Sequence, residues 1–176
     1  GVSAKSFAYN FWNITESIKM YWDDSIESMD VIEILSDNCA ILHIKFKRIW
    51  PSTSRDWVVC SEILKINDNE WTVQNISIDH PNAIPDPDNY VRMKSNVKII
   101  VKQNPVNKKF PISKTNMLTT LTYISYIDIG YWSGNSIIQS ACSTKLFKVL
   151  EKLKNYTIKS SLTPSSSGAS FFATSS

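Results

Sequence analysis

Asp79 and His80 are the adjacent residues in this sequence that come nearest to an acid–base pair. They stand at the end of an expected strand, Pro81 follows at once, and no third residue at useful spacing completes a relay, so the pair reads as a turn cap. The other histidine, His43, falls in mid-strand, and Cys39, Cys60 and Cys142 are far apart. Isolated residues of this kind make no metal-ligand spacing. A GxSxG elbow, a P-loop and a dinucleotide fingerprint are all missing, and four glycines are too few for a phosphate cradle. The expectation is a protein that is not an enzyme, with no cofactor and no metal.

A different chemistry is suggested by polar residues at sheet positions whose neighbours are apolar. In WTVQNISID, alternation places Trp71, Val73, Asn75 and Ser77 on one face and Thr72, Gln74, Ile76 and Ile78 on the other. In MLTTLTYISYIDI, the residues Leu121, Tyr123, Ser125 and Ile127 share a face. Two readings are open: Asn75 and Tyr123 face solvent or bond to backbone, or they are hydrogen-bonding groups placed in an apolar cavity.

These residues need elements to hold them. From Ala4 to about Asp23, apolar residues at Phe7, Phe11, Ile14, Ile18 and Trp22 have the spacing of one or two short helices. VIEILSDNCAILHIKFKRIW then gives two strands about a Ser-Asp-Asn turn, the second with Ala40, Leu42, Ile44 and Phe46 on one face. DWVVCSEILKI and EWTVQNISI form a hairpin about Asn67, Asp68 and Asn69. The proline-rich HPNAIPDPDNY is a loop, followed by the strands VRMKSNVKIIVK and MLTTLTYISYIDI. Beyond Trp132, the stripe Ile138, Cys142, Leu146, Val149 and Leu153 marks an amphipathic helix, with lysines at 145, 148, 152 and 154 elsewhere on its surface. The fold class is therefore α+β: a helix grip, in which a curved antiparallel sheet of about six strands is closed by a long C-terminal amphipathic helix. Residues 1–158 form this domain, and the Ser-rich 159–176 read as a flexible tail.

Composition narrows the setting. With 176 residues, 43% of them hydrophobic, the chain can bury one core, and a net charge of +3 with scattered lysines does not suggest nucleic acid. Cysteines inside apolar patterns read as buried free thiols and point to a reducing, cytoplasmic compartment. No apolar run is long enough to span a bilayer, so membrane contact is expected to be peripheral. A monomer is expected.

The stretch KRIWPSTSRDW places Trp50 and Pro51 in a loop between two strands, where a short turn would reverse the chain. Taken with WTVQNISIDH, YVRMKSNV and LTYISYIDIGYW, in this order and ahead of the last helix, it resembles the START domain, the steroidogenic acute regulatory protein-related lipid transfer module. YNFWN, LSDN and KRIWP are most similar to its ceramide-binding members.

The resemblance implies one lipid, a ceramide or a phospholipid, in a tunnel between sheet and C-terminal helix, carried between membranes. In ceramide-binding relatives a Glu, a Gln, an Asn and a Tyr bond the amide and hydroxyls. Here the Asn falls on Asn75 and the Tyr on Tyr123, the Glu on the shorter Asp23, and the Gln on Ile44, which offers no hydrogen bond. The same pattern makes Arg55 with Asp56 a buried ion pair or, in phosphatidylcholine-binding relatives, Arg55 a phosphate contact; Arg92 is read similarly, or as a solvated charge. Trp50, Pro51 and Trp132 would stand at the tunnel mouth, where indoles favour a membrane interface. The alternatives are a phosphatidylcholine-like cargo, a sensor that binds without transferring, or an enzyme on the same grip with Asp23 as its acid. The resemblance implies a further helix and strands ahead of these elements, and the expectation is that this chain, which starts at Gly1, is without them.

Overall fold

A computed structural model describes residues 2–48, 53–104, 118–128 and 136–162, with side chains of the last segment described from 144 onward. Two short helices, α1 (Ala4–Trp12) and α2 (Glu16–Trp22), precede the sheet. Ser3 caps α1, its hydroxyl accepting from Ser6 N at 3.0 Å. Ala4, Phe7, Ala8 and Phe11 then bury one face of that helix.

Five long strands follow in sheet order, β1 (Ile26–Ser36), β2 (Cys39–Phe46), β3 (Ser54–Asn67), β4 (Glu70–Ser77) and, after an excursion, a strand from Lys94 to Gln103. The excursion contains β5 (Tyr90–Arg92), which pairs parallel with the start of β3. The stretch VRMKSNVKIIVK is therefore broken at Met93 rather than continuous, and Lys94–Gln103 becomes β6. The edge strand β7 (Thr119–Asp128) and the long helix α3 (Ser136–Leu162) complete the α+β grip. Two-residue turns close the first hairpins: Ser36 pairs with Cys39 across Asp37 and Asn38, and Asn67 pairs with Glu70 across Asp68 and Asn69. In the first, the Asn38 amide also donates to Ile63 O at 3.0 Å, tying the turn to the third strand.

The antiparallel register sorts the side chains into two faces. Ala40, Leu42 and Ile44 of β2, Trp57, Val59 and Ile63 of β3, Trp71 and Val73 of β4, and Val97, Ile99 and Val101 of β6 form the inner core with α1 and Leu153 of α3. The outer face has a smaller cluster of Ile41, Val58 and Ala83, backed by Ile32 and Ile78. Along α3, Leu153 and Thr157 are buried while Val149, Leu150 and Tyr156 pack at the margin. Of the expected stripe, Ile138 and Cys142 have side chains outside the described residues, and α3 runs on through Ser160 and Ser161 to Leu162, into the stretch expected to be a tail.

α3 is held chiefly by the two N-terminal helices. Asn10 Nδ2 donates to Thr157 Oγ1 at 3.1 Å, Tyr21 and Tyr156 meet with centroids 5.3 Å apart, and Lys152 pairs with Asp24 at 2.7 Å. Cys39 and Cys60 are free and half-buried rather than fully buried, their sulfurs 3.5 Å apart on the outer face. Burial, with the hydrogen bond to Cys60, pushes the Cys39 thiol up to about 11.

The ion pair expected between Arg55 and Asp56 is replaced by a different one. Strand alternation turns adjacent residues to opposite faces, so Asp56 points outward while Arg55 shares the face of Trp57. Asp56 is buried and receives Arg92 in a fork, Nε at 3.0 Å and Nη2 at 2.7 Å, with His43 Nε2 at 2.8 Å. Arg92 also donates to Ala83 O, and Met93 N to the backbone Asp56 O, so Asp56, through its carboxylate and its carbonyl, pins the loop of residues 78–90 to the sheet. Arg92 is thus neither a solvated charge nor a group facing the interior. Burial raises the Asp56 carboxyl, but hydrogen bonds from Arg92 and His43 outweigh it and hold the group below its ordinary 3.8. Its stabilisation is present above that ordinary value and is lost as pH falls through the folded one. Arg92→Ala, which leaves the buried carboxylate with His43 alone, is expected to cost about 3 kcal/mol in urea unfolding at pH 7, with the deficit shrinking as pH falls below 3.8; a loss under about 1 kcal/mol would contradict this role.

Candidate functional site

The inner face of the sheet, largely apolar, is interrupted by a polar patch at its centre. Asn75 on β4 is the ladder partner of Ser61 on β3 and of Val97 on β6. It is 8% exposed, and its Oδ1 accepts from Ser61 Oγ at 2.6 Å. That bond fixes the amide orientation and turns Nδ2 away as a donor with no hydrogen-bond partner among the described residues. One pleat further along, Ser77 accepts from Trp57 Nε1 at 2.7 Å and from Ser95 N at 2.6 Å, and donates to Ser95 O at 3.0 Å. Ser61, Asn75, Ser77 and Ser95 therefore form a polar patch across three neighbouring strands. Trp12 Nε1 reaches Ser61 O at 3.3 Å and ties the end of α1 to this patch.

A second polar corner lies where α2 meets the sheet. Asp23 caps α2, half-buried, and its carboxylate accepts from the backbone N–H of Ser25 at 3.0 Å and from its hydroxyl. Tyr123 on β7 is the ladder partner of Ile99 and packs against the main core. Burial first, then the charge of Asp23, push its phenol up to about 12, so it remains a protonated donor at neutral pH. Its hydroxyl has no hydrogen-bond partner among the described residues. Sequence reasoning missed Lys19, which is buried, donates to Phe11 O and has its ammonium 5.2 Å from the Phe11 ring and 5.4 Å from the Trp22 ring. Burial lowers its pKa to about 7 against the opposing pull of Asp23. A helical pattern of polar residues carries no mark that one lysine turns inward.

The remaining expected residues are placed as follows. Ile44 is 5% exposed, between its ladder partners Met29 and Trp57, and is plain apolar wall. Arg55 pairs in register with Phe46 at the start of β3 and donates to Thr53 O. Trp50, Pro51 and Trp132 lie outside the described residues. His80 caps its own turn, Nδ1 accepting from Asn82 N at 3.2 Å, and reaches Glu33 at 3.4 Å. Among the described residues no acidic, His or Cys cluster has metal-binding geometry, and no helix is long and apolar enough to cross a membrane. A recess of about 300 Å³, lined by Ser77, Ile78, Asp79, Arg92, Met93 and Lys94, opens where β4 ends and β6 begins.

A curved sheet gripping a C-terminal helix, with hydrogen-bonding groups set into its apolar inner face, defines a helix-grip binding domain. The chain belongs to the START domain family, whose profile matches residues 4–159. Over 164 residues it is 33% identical to the "Ceramide transfer protein" of Homo sapiens, an alignment that takes 89% of this chain and 26% of the relative. The Xenopus tropicalis "Ceramide transfer protein" is 31% identical over 165 residues. The chain thus spans about a quarter of the length of the curated relatives it matches. Human STARD10 superposes with a TM-score of 0.71 at 17% identity, covering 91% of this chain and 62% of that one. Human StAR-related lipid transfer protein 5 does so with a TM-score of 0.68 at 13% identity, covering 91% and 72%. At those identities the superpositions establish the shared fold.

Lys19 yields a prediction about stability. Its folded pKa lies near 7 and its ordinary value at 10.5, so between them the unfolded chain binds the extra proton and stability rises with pH. Lys19→Met should flatten that rise in denaturant titrations run from pH 7 to pH 10; an unchanged slope would show that the ammonium is not buried.

Proposed function

We propose that this domain carries one lipid, a ceramide or related sphingolipid, between the sheet and α3 and moves it between membranes without covalent chemistry. The observation that carries the reading is Asn75, buried on an apolar face, with one side of its amide tied to Ser61 and the other left to donate. An amide-linked lipid supplies the matching carbonyl oxygen, while its hydroxyls suit the Tyr123 phenol and the Asp23 carboxylate. The acyl chains would lie along the Val, Ile and Leu side chains of β2, β3, β4 and β6, each buried methylene contributing about 0.8 kcal/mol. The identity to proteins named for ceramide transfer supports the same cargo. Ile44, apolar where ceramide-binding relatives have a Gln, removes one hydrogen bond from this set and loosens the discrimination among related lipids.

A phospholipid needs a cation for its phosphate. Arg92 is committed to Asp56 on the outer face, and Arg55, on the inner register beside Phe46, already donates to Thr53 O. Asp23, neutralising the corner near Lys19 and Tyr123, works against an anionic headgroup there.

The direct test is extraction of labelled ceramide and labelled phosphatidylcholine from liposomes by the purified chain. Ceramide should be taken up in preference, and Asn75→Ala should lower its extraction about five- to tenfold with an unchanged circular dichroism spectrum. Equal extraction by the variant would remove Asn75 from the headgroup, and uptake of phosphatidylcholine alone would replace the cargo. Uptake with no delivery to acceptor vesicles would make the domain a sensor. Trp50→Ala should slow transfer between vesicles while leaving the affinity for ceramide in place, because an interfacial indole acts on docking at the bilayer; equal transfer rates would retire that anchor.

A further inference from the structure

β6 presents Ser95, Val97, Ile99 and Val101 to the interior. The last three belong to the main core. Ser95 is as well buried, at 2% exposure, yet it brings a hydroxyl where its neighbours bring methyl groups. Its backbone is fully engaged with Ser77, and its own Oγ is buried with no hydrogen-bond partner. Among the described residues the other two unpartnered buried side-chain polar atoms, both indole N–H groups, sit on Trp22 and Trp71, whose large rings stack on Phe11 and meet Tyr9 edge-on. Their burial is repaid by ring area. A serine has no such area, and a buried hydroxyl without a partner lowers stability relative to alanine.

We propose that Ser95 Oγ is a second polar anchor for the bound lipid and recognises a hydroxyl of its headgroup. The inference rests on the sphingolipid reading above and adds a specificity residue to it. Val97 is the ladder partner of Asn75, so Ser95 lies one pleat repeat along the same face of β6. Diagonal neighbours in such a ladder are about 7–8 Å apart. A lipid whose amide meets Asn75 Nδ2 therefore has Ser95 within reach of a hydroxyl a few bonds away. Ser77, which stands between the two, is fully used by Trp57 and Ser95 and cannot take this part.

The test compares two lipids and two properties. Ser95→Ala should lower extraction of ceramide from liposomes about fivefold and leave extraction of 1-deoxyceramide, which lacks the terminal hydroxyl, at the parent level. The same variant without lipid should melt about 2–4 °C higher, since an unpaired hydroxyl has been taken out of the core. A gain in stability coupled to a loss confined to the hydroxylated lipid is the signature of a ligand contact. Equal loss for both lipids, or no loss for either, overturns the proposal. If the parent chain extracts neither lipid, the sphingolipid reading itself fails and Ser95 falls with it.

Discussion

The structure depends on how polar groups are admitted to an apolar sheet face. A donor or acceptor placed there must be satisfied or it weakens the fold. The inner face meets this demand unequally. Ser61 and Asn75 satisfy each other on one side, Ser77 satisfies Trp57 and the backbone of Ser95, and among the described residues Asn75 Nδ2, the Tyr123 phenol and Ser95 Oγ are left over beside the Trp71 indole N–H. In a domain built only to pack, apolar side chains would be better at those places. The leftover groups are what a polar headgroup would complete, and the surrounding Val, Ile and Leu residues are what acyl chains would cover.

The outer face solves a separate problem. The long excursion between β4 and β6 is fastened to the sheet by Asp56, Arg92 and His43 on the side away from α3. The charged cluster so lies outside the grip, where it adds rigidity without placing charge against a lipid. Among the described residues α3, in turn, is tied to the N-terminal segment through Asn10, Tyr21 and Asp24 and to the sheet core through Leu153. A closing helix hinged on other helices can shift without unpairing strands.

Much of this was legible in the sequence. Alternation in CAILHIKF and WTVQNIS gave the faces correctly, because a strand period of two admits one core face once the apolar residues are placed. The paired turns at Asp37–Asn38 and Asp68–Asn69 followed from local chemistry. Long-range partners did not. Arg92 is 36 residues from Asp56, and the adjacency of Arg55 to Asp56 suggested a pair that alternation forbids. β5, only Tyr90 to Arg92, is too short to leave a pattern. Lys19 is buried because its side chain turns in between Phe11 of α1 and Trp22 of its own helix, a tertiary circumstance that helical spacing alone does not encode. Ser95 was not singled out in VRMKSNVKIIVK, and its inward turn is set by the register of β6 on β4 and β7.

The account stands on the inner face receiving a single amide-bearing lipid. Native mass spectrometry of the chain purified from cells measures this with no assumption about which residues bind. One ceramide or related sphingolipid per chain, released intact on activation, is the predicted result. A chain that arrives without lipid and stays empty when offered ceramide-containing vesicles would contradict it.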